Sequence, residues 1–191
     1  SQSRELGLNV TCKPAISISY RQNWQSVQDA ITQTSQPIYV FTSQNGVKAL
    51  EMFKHAGIEL PGDSPVYAVG EKTADALHHA GFNNVTTPDE ANGVSLAHQI
   101  ITDILKTPKL AEAEVLHFCG DKRRDELRHY LSESDIPVKD VVVYSTELNQ
   151  IELSDTDSYR AILFYSPSAV QAFRQSGGFR NIGDAELFAI G

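Results

Sequence analysis

The residues best suited to chemistry are small and polar, and they recur where an apolar run gives way to an amphipathic one. Thr42-Ser43 follows PIYVF, Thr73 follows SPVYAVGEK, Gly120-Asp121 follows VLHFC, and Ser166 and Ser168 follow AILFY. A turn between a strand and a helix exposes backbone N–H groups at the positive end of the helix dipole, which suits an anion. One such end contributes only about 0.3–1 kcal/mol, so a single turn binds weakly and several converging turns hold a polyanion. Each residue is also what an ordinary helix N-cap requires. Cations concentrate at one turn: Lys122, Arg123, Arg124 and Arg128 are expected in the first two turns of a helix capped by Asp121. The dipole disfavours cations there, so either a bound anion accounts for them or they form a solvated helix face. Tyr144 closes a β-branched strand where a polar connector begins. A phenol there suits proton donation into a cleft, or it packs as an aromatic plug.

The elements that must position these groups follow from period. Val115–Phe118 is an apolar run, Leu127, Tyr130 and Leu131 form a helical stripe, and Val141–Tyr144 is a second strand, giving one βαβ unit. Its ligand crevice is expected beyond the carboxyl ends of the strands. The same order recurs: strand Ile38–Phe41, helix with Val47, Leu50 and Phe53, stop at Gly57; strand Val66–Val69, helix, stop at Gly81. A brief strand at Val85 precedes a cap near Asn92 and a helix carrying Leu96, Ile100, Ile104 and Leu105. Later come strand Ile162–Tyr165, cap Ser166, Pro167 at the first helical position, a Gly177-Gly178 stop and a last strand in LFAIG. Before all of these, Leu8–Cys12 and the alternating Ile16, Ile18, Tyr20 are strand-like, and Trp24, Val27 and Ile31 mark a short helix. This repetition predicts open parallel α/β sheets. Two connectors, 16–21 and 143–150, bracket a contiguous block, so one domain (22–142) is expected to be inserted into another (1–15 plus 151–191).

Composition narrows the function. The chain has 191 residues, 41% hydrophobic and 21% charged, as in an ordinary soluble globule. There is no bilayer-length apolar run and no signal peptide at the start, so a cytoplasmic protein without a membrane partner is expected. The net charge of −8 argues against nucleic acid as a partner, though not against a small anion bound by local charge. Cys12 and Cys119 are too few for a disulfide framework and, with no His/Cys cluster near either, both are expected to be buried, reduced and cytosolic. The histidines show no metal-ligand spacing, and His117, in a strand, is expected to be a satisfied core residue. No P-loop, nucleophile elbow or dinucleotide fingerprint is present. No metal and no cofactor are therefore expected. No long apolar stripe is left over after the helices pack, which predicts a monomer.

Taken in order, FTSQNGVKAL, VGEKTADAL–HHAGF, FCGDKRRDEL, VVVYSTEL, FYSPSAVQAF and FAIG resemble the uroporphyrinogen-III synthase family. The resemblance implies two small flavodoxin-like domains, one inserted in the other, joined by a two-stranded β-ladder with the site in the cleft. It implies closure of the linear tetrapyrrole hydroxymethylbilane to uroporphyrinogen III, with loss of water and inversion of the last ring, without metal or organic cofactor. The substrate's acetate and propionate groups would be held largely by backbone amides. Tyr144 matches the family's candidate for assisting the departing hydroxyl. Thr42, Ser43, Thr73, Ser166 and Ser168 match its turn hydroxyls, Arg124 matches its basic residue, and Gly120 and Lys122 belong to the same turn. The family pattern has further outer-domain elements before the segment that Ser1 begins and after Gly191, without which Ile162–Tyr165 is expected to have an exposed edge. Two other readings compete. One is a non-catalytic two-lobed sensor of a small polyanion, with Tyr144 as hinge packing. The other is a receiver-like module, which should show an acidic cluster at its first strand end and does not.

Overall fold

A computed structural model of the chain describes residues 7, 9–22, 24–153, 159–180 and 182–190. The elements are β1 (Ile16–Tyr20), α1 (Trp24–Gln33), β2 (Pro37–Phe41), α2 (Gln44–His55), β3 (Val66–Ala68), α3 (Glu71–His79), β4 (Val85–Thr86) and α4 (Gly93–Lys106). They continue with β5 (Glu114–Gly120), α5 (Glu126–Glu133), β6 (Val138–Leu148), β7 (Ala161–Phe164), α6 (Pro167–Gln175) and β8 (Glu186–Ala189). Two compact units result, one of residues 19–145 and one of residues 1–18 with 146–191. Both are α/β, and β1 and β6 run from one unit into the other.

The larger unit is built on the sheet order β1-β6-β5-β2-β3-β4. Strands β6, β5, β2, β3 and β4 pair in parallel, so the helices must cross over its faces and cover them. Alternation along β2 and β5 serves both layers. Ile38, Val40 and Val115 pack with Leu96, Ile100, Leu127 and Leu131 of α4 and α5. Tyr39, Phe41 and Phe118 turn the other way, where Phe118 stacks on Phe41 at 5.0 Å and meets Phe53 of α2. Arg21 N–H donates to the Val143 carbonyl, and Asn149 N–H to the Ala15 carbonyl. This register makes β1 antiparallel to β6.

Caps and stops lie largely where side-chain chemistry dictates. Ser43 accepts from Asn45 N–H at 3.1 Å, Asn92 from Ser95 N–H at 2.8 Å, and Ser166 from Ala169 N–H at 3.2 Å. Gly57 and Gly81 leave α2 and α3 with positive φ, which glycine adopts at no steric cost. After α5 the same role falls to Asp135 at φ 58°, a residue type that tolerates the left-handed region.

Four expectations are corrected. Lys122, Arg123 and Arg124 precede α5, which starts at Glu126 behind Asp125, and Asp121 is not its cap: Asp121 Oδ1 accepts from Lys122 N–H within the loop. The loop is held by ion pairs rather than by helix formation, as described below. Asn9–Cys12 form no strand, since none of the described strands pairs with them, and Leu8 lies outside the described residues. Cys12, expected to be buried, is exposed, because it lies in this segment outside any strand or helix. Cys119 does have a polar cluster near it, with His117 and Asp140.

In the smaller unit β7 and β8 form a parallel pair, and Phe164, Phe173 and Phe179 pack as a ring cluster beside Ile151. Leu163, Leu187 and Phe188 are exposed. Part of the polar connector, 154–158, and the terminal Gly191 lie outside the described residues. Among the described residues no helix is long and apolar enough to cross a membrane.

Candidate functional site

At the carboxyl end of β2, Thr42 follows the fully buried Phe41, and Ser43 caps α2. At the end of β3, Gly70 is the N-cap of α3 and has no side chain to cap with. The first amides of α3 therefore receive no side-chain cap from that position, as an anion-binding helix start requires. Thr73 lies inside the first turn and is buried, its N–H donating to the Gly70 carbonyl at 3.0 Å. In the smaller unit Ser166 caps α6, with Pro167 first in the helix and Ser168 half-buried in the first turn. The larger unit thus brings Thr42, Ser43, Thr73, Gly120, Lys122 and Arg124 to strand ends of one sheet, with Tyr144 inside β6 beside the end of β5. Ser166 and Ser168 occupy the matching turn of the other unit.

The β5–β6 ladder changes register at Cys119/Gly120, so that Gly120 pairs with Tyr144 and Val143 is passed over. Such a bulge bends the strand and re-aims the next side chain. Here the Tyr144 ring lies against Gly120: a Cβ on that glycine would sit 2.5 Å from Tyr144 Cε2. Asp121 N–H donates to the Tyr144 carbonyl at 3.1 Å, extending the ladder into the loop. Tyr144 is 8% exposed. A second phenol, Tyr20, hydrogen-bonds Asn45 Oδ1 at 3.3 Å. Burial, then the nearby Tyr144 and Glu51, push its pKa up. Tyr20 also lines a hollow of about 600 Å³ with Gln44, Lys48, Lys72 and His79. A slightly larger hollow, about 700 Å³, lies by the Gly81 turn at the far end of α2, away from the strand ends.

The feature hidden from the sequence is a buried polar chain beneath these turns. Register places Asp140 of β6 beside His117 of β5. His117, 2% exposed, has Nδ1 3.0 Å from Asp140 Oδ1 and Nε2 2.9 Å from Thr42 Oγ1. Asp140 Oδ2 accepts from Arg123 at 2.7 Å and from Arg128 at 2.5 Å. Burial alone would raise the Asp140 pKa, but hydrogen bonds from His117, Arg128 and Arg123 hold its carboxyl well below the usual carboxylate range. An ionised carboxylate only accepts, so His117 Nδ1 carries the proton between them. Burial, and secondarily the Asp140 charge, push the Cys119 thiol up to about 12, which leaves it an inert thiol.

His117, Cys119 and Asp140 offer ligating atoms within 4.8 Å of one another. Yet both imidazole nitrogens are engaged, and the carboxylate faces two guanidiniums that would repel a cation. The donor set fits an ion-pair network better than a metal. Hydroxyl, imidazole and carboxylate also stand in the order of a hydrolase relay. The second carboxylate oxygen, however, is spent on two arginines of the β5–α5 segment. Of the expected cations, then, Arg123 and Arg128 are folded back, while Lys122 and Arg124 stand exposed with no ion pair among the described residues.

A family model described as uroporphyrinogen-III synthase HemD matches residues 1–191. The chain belongs to the uroporphyrinogen-III synthase family. A protein of Saccharomyces cerevisiae described as uroporphyrinogen-III synthase is 39% identical over 92 residues, 47% of this chain. That match spans 32%, about a third, of the yeast protein's length. Among solved structures, a mutant uroporphyrinogen III synthase from the extremely thermophilic bacterium Thermus thermophilus aligns with a TM-score of 0.65 at 18% identity, covering 99% of this chain and 78% of that one. Uroporphyrinogen-III synthetase from Helicobacter pylori aligns at 0.62 and 21% identity, covering 93% and 76%. These likenesses establish the fold: two α/β domains with parallel strands, joined by β-strands, as in this family.

Proposed function

We propose that the chain carries uroporphyrinogen-III synthase activity, closing hydroxymethylbilane to uroporphyrinogen III in tetrapyrrole biosynthesis with loss of water and inversion of the last ring. Family membership supports the reaction class. The observation that carries the residue-level reading is the Tyr144 ring lying against Gly120, at the head of a loop with exposed Lys122 and Arg124. A phenol beside a cationic turn is suited to protonate a departing hydroxyl while the turn holds the neighbouring carboxylates. The helix starts after Ser43 and Gly70 supply backbone donors for further carboxylates, with Thr42 and Thr73 beside them, and Ser166 and Ser168 do the same in the smaller unit. In this reading the protein contributes position and fixed dipoles, needs no metal or organic cofactor, and acts as a cytoplasmic monomer.

The burial of Tyr144 to 8% also favours a second reading, a non-catalytic polyanion-binding protein in which the ring is packing. The two are separated by incubating the protein with hydroxymethylbilane, oxidising the products and resolving the isomers. Type III product from the wild type, with turnover reduced at least about tenfold in Tyr144→Phe at little change in melting temperature, is expected. Only the spontaneous type I isomer would leave the binding protein standing, and parallel loss of turnover and stability would make Tyr144 packing.

A further inference from the structure

The mechanism proposed above uses the outward face of the β5–α5 turn; nothing in it uses the buried carboxylate beneath. We propose that Asp140 is the positioning residue of that turn: by drawing Arg123 and Arg128 inward, it aims Lys122, Arg124 and the loop amides at the substrate, and through His117 it ties this turn to Thr42 of the neighbouring one. This rests on the synthase reading for its substrate, but not for its geometry.

Three consecutive cations would repel one another and leave the loop without a preferred shape. Here the middle one is bound. Arg123 and Arg128 lie on either side of the helix start, and both reach the same Oδ2 of Asp140, at 2.7 and 2.5 Å. One buried oxygen therefore pins the loop at its centre and the helix in its first turn. The inward pull on Arg123 leaves Lys122 and Arg124 exposed on either side of it. Oδ1 is taken by His117 at 3.0 Å, whose other nitrogen meets Thr42 at 2.9 Å. The carboxylate side chain is only 7% exposed, against 28% and 49% for the two guanidiniums. The anchor is thus dry, while the groups it holds reach the surface. A chain of this kind, closed at every atom, fixes one arrangement. Substituting a group that orients others is expected to weaken substrate binding while leaving the chemical step nearly intact.

Asp140→Asn keeps the shape and removes the charge. It is expected to raise KM for hydroxymethylbilane about five- to tenfold with kcat changed less than about twofold. Asp140→Glu, which keeps the charge, is expected to restore part of the loss. A second measurement needs no activity. Trypsin should cut after Lys122, Arg123 and Arg124 several times faster in Asp140→Asn than in wild type, with cutting after Lys48 and Lys54 of α2 unchanged. Should Asp140→Asn fail to fold, Arg123→Gln, at a half-exposed site, is expected to show the same KM rise and the same selective cutting at Lys122 and Arg124. An unchanged KM, or unchanged cutting at the loop, overturns the proposal. So does faster cutting at the loop and α2 together, which would mark a purely structural role. If the wild type makes no type III product, the synthase reading fails on its own, and the trypsin arm still decides whether Asp140 holds the turn.

Discussion

Asp140 was the residue least visible in the sequence. Read alone, KDVVVY is a strand opening, and nothing in the spacing joins its aspartate to a histidine 23 positions earlier. Only the pairing of Asp140 with His117 across β5 and β6 creates the contact. His117 itself was legible as a satisfied core residue, and its two partners bear that out. The cations were legible as a group, but their division into a pair bound to Asp140 and a pair without an ion-pair partner among the described residues depends on an acceptor placed by the fold. Acid should expose this chemistry. Because the folded-state pKa of Asp140 is lowered, its contribution to stability is fully present above the ordinary carboxylate pKa of about 3.9 and is lost as pH falls towards the folded value. Denaturant midpoints measured at about pH 6, 4 and 3 should fall more steeply in wild type than in Asp140→Asn. Equal slopes would mean that other carboxylates dominate.

At the scale of elements, most of the larger unit could be read from period. Apolar positions at helical spacing placed α2 and α4, and β-branched runs placed β2, β5 and β6, because both faces of a parallel sheet are covered and its strands are apolar throughout. The start of α5 was misplaced because Gly120-Asp121 looks like a turn and cap, whereas the loop continues to Asp125 under the pull of its ion pairs. The bulge that sets Tyr144 against Gly120 left no mark in either strand's sequence. Of the aromatic positions, Phe118 should matter most. It is fully buried, stacked on Phe41 and close to Tyr39 and Phe53. Phe118→Ala is expected to cost about 3–5 kcal/mol in chemical denaturation. A loss below about 1 kcal/mol would mean that α2 closes down on the sheet more freely than its packing implies.

For the whole molecule, the parallel pairing of β2, β3, β4 and β5 puts the turns that lead from these strands into their helices at one edge of the sheet, which is why the polar turn residues could be grouped from the sequence. What the order of motifs added was the family, and the proposed function supplies a substrate ringed with carboxylates. The central claim is that helix-start amides at this edge hold those carboxylates. It is tested most directly by backbone amide NMR of the full chain titrated with uroporphyrin III, a stable polycarboxylate with the product's substituents. The largest shift changes are expected at Gln44, Glu71–Lys72 and Arg123–Asp125. Changes confined to the hollow lined by Lys54, Gly81 and Asn83, or none at saturating ligand, would contradict it.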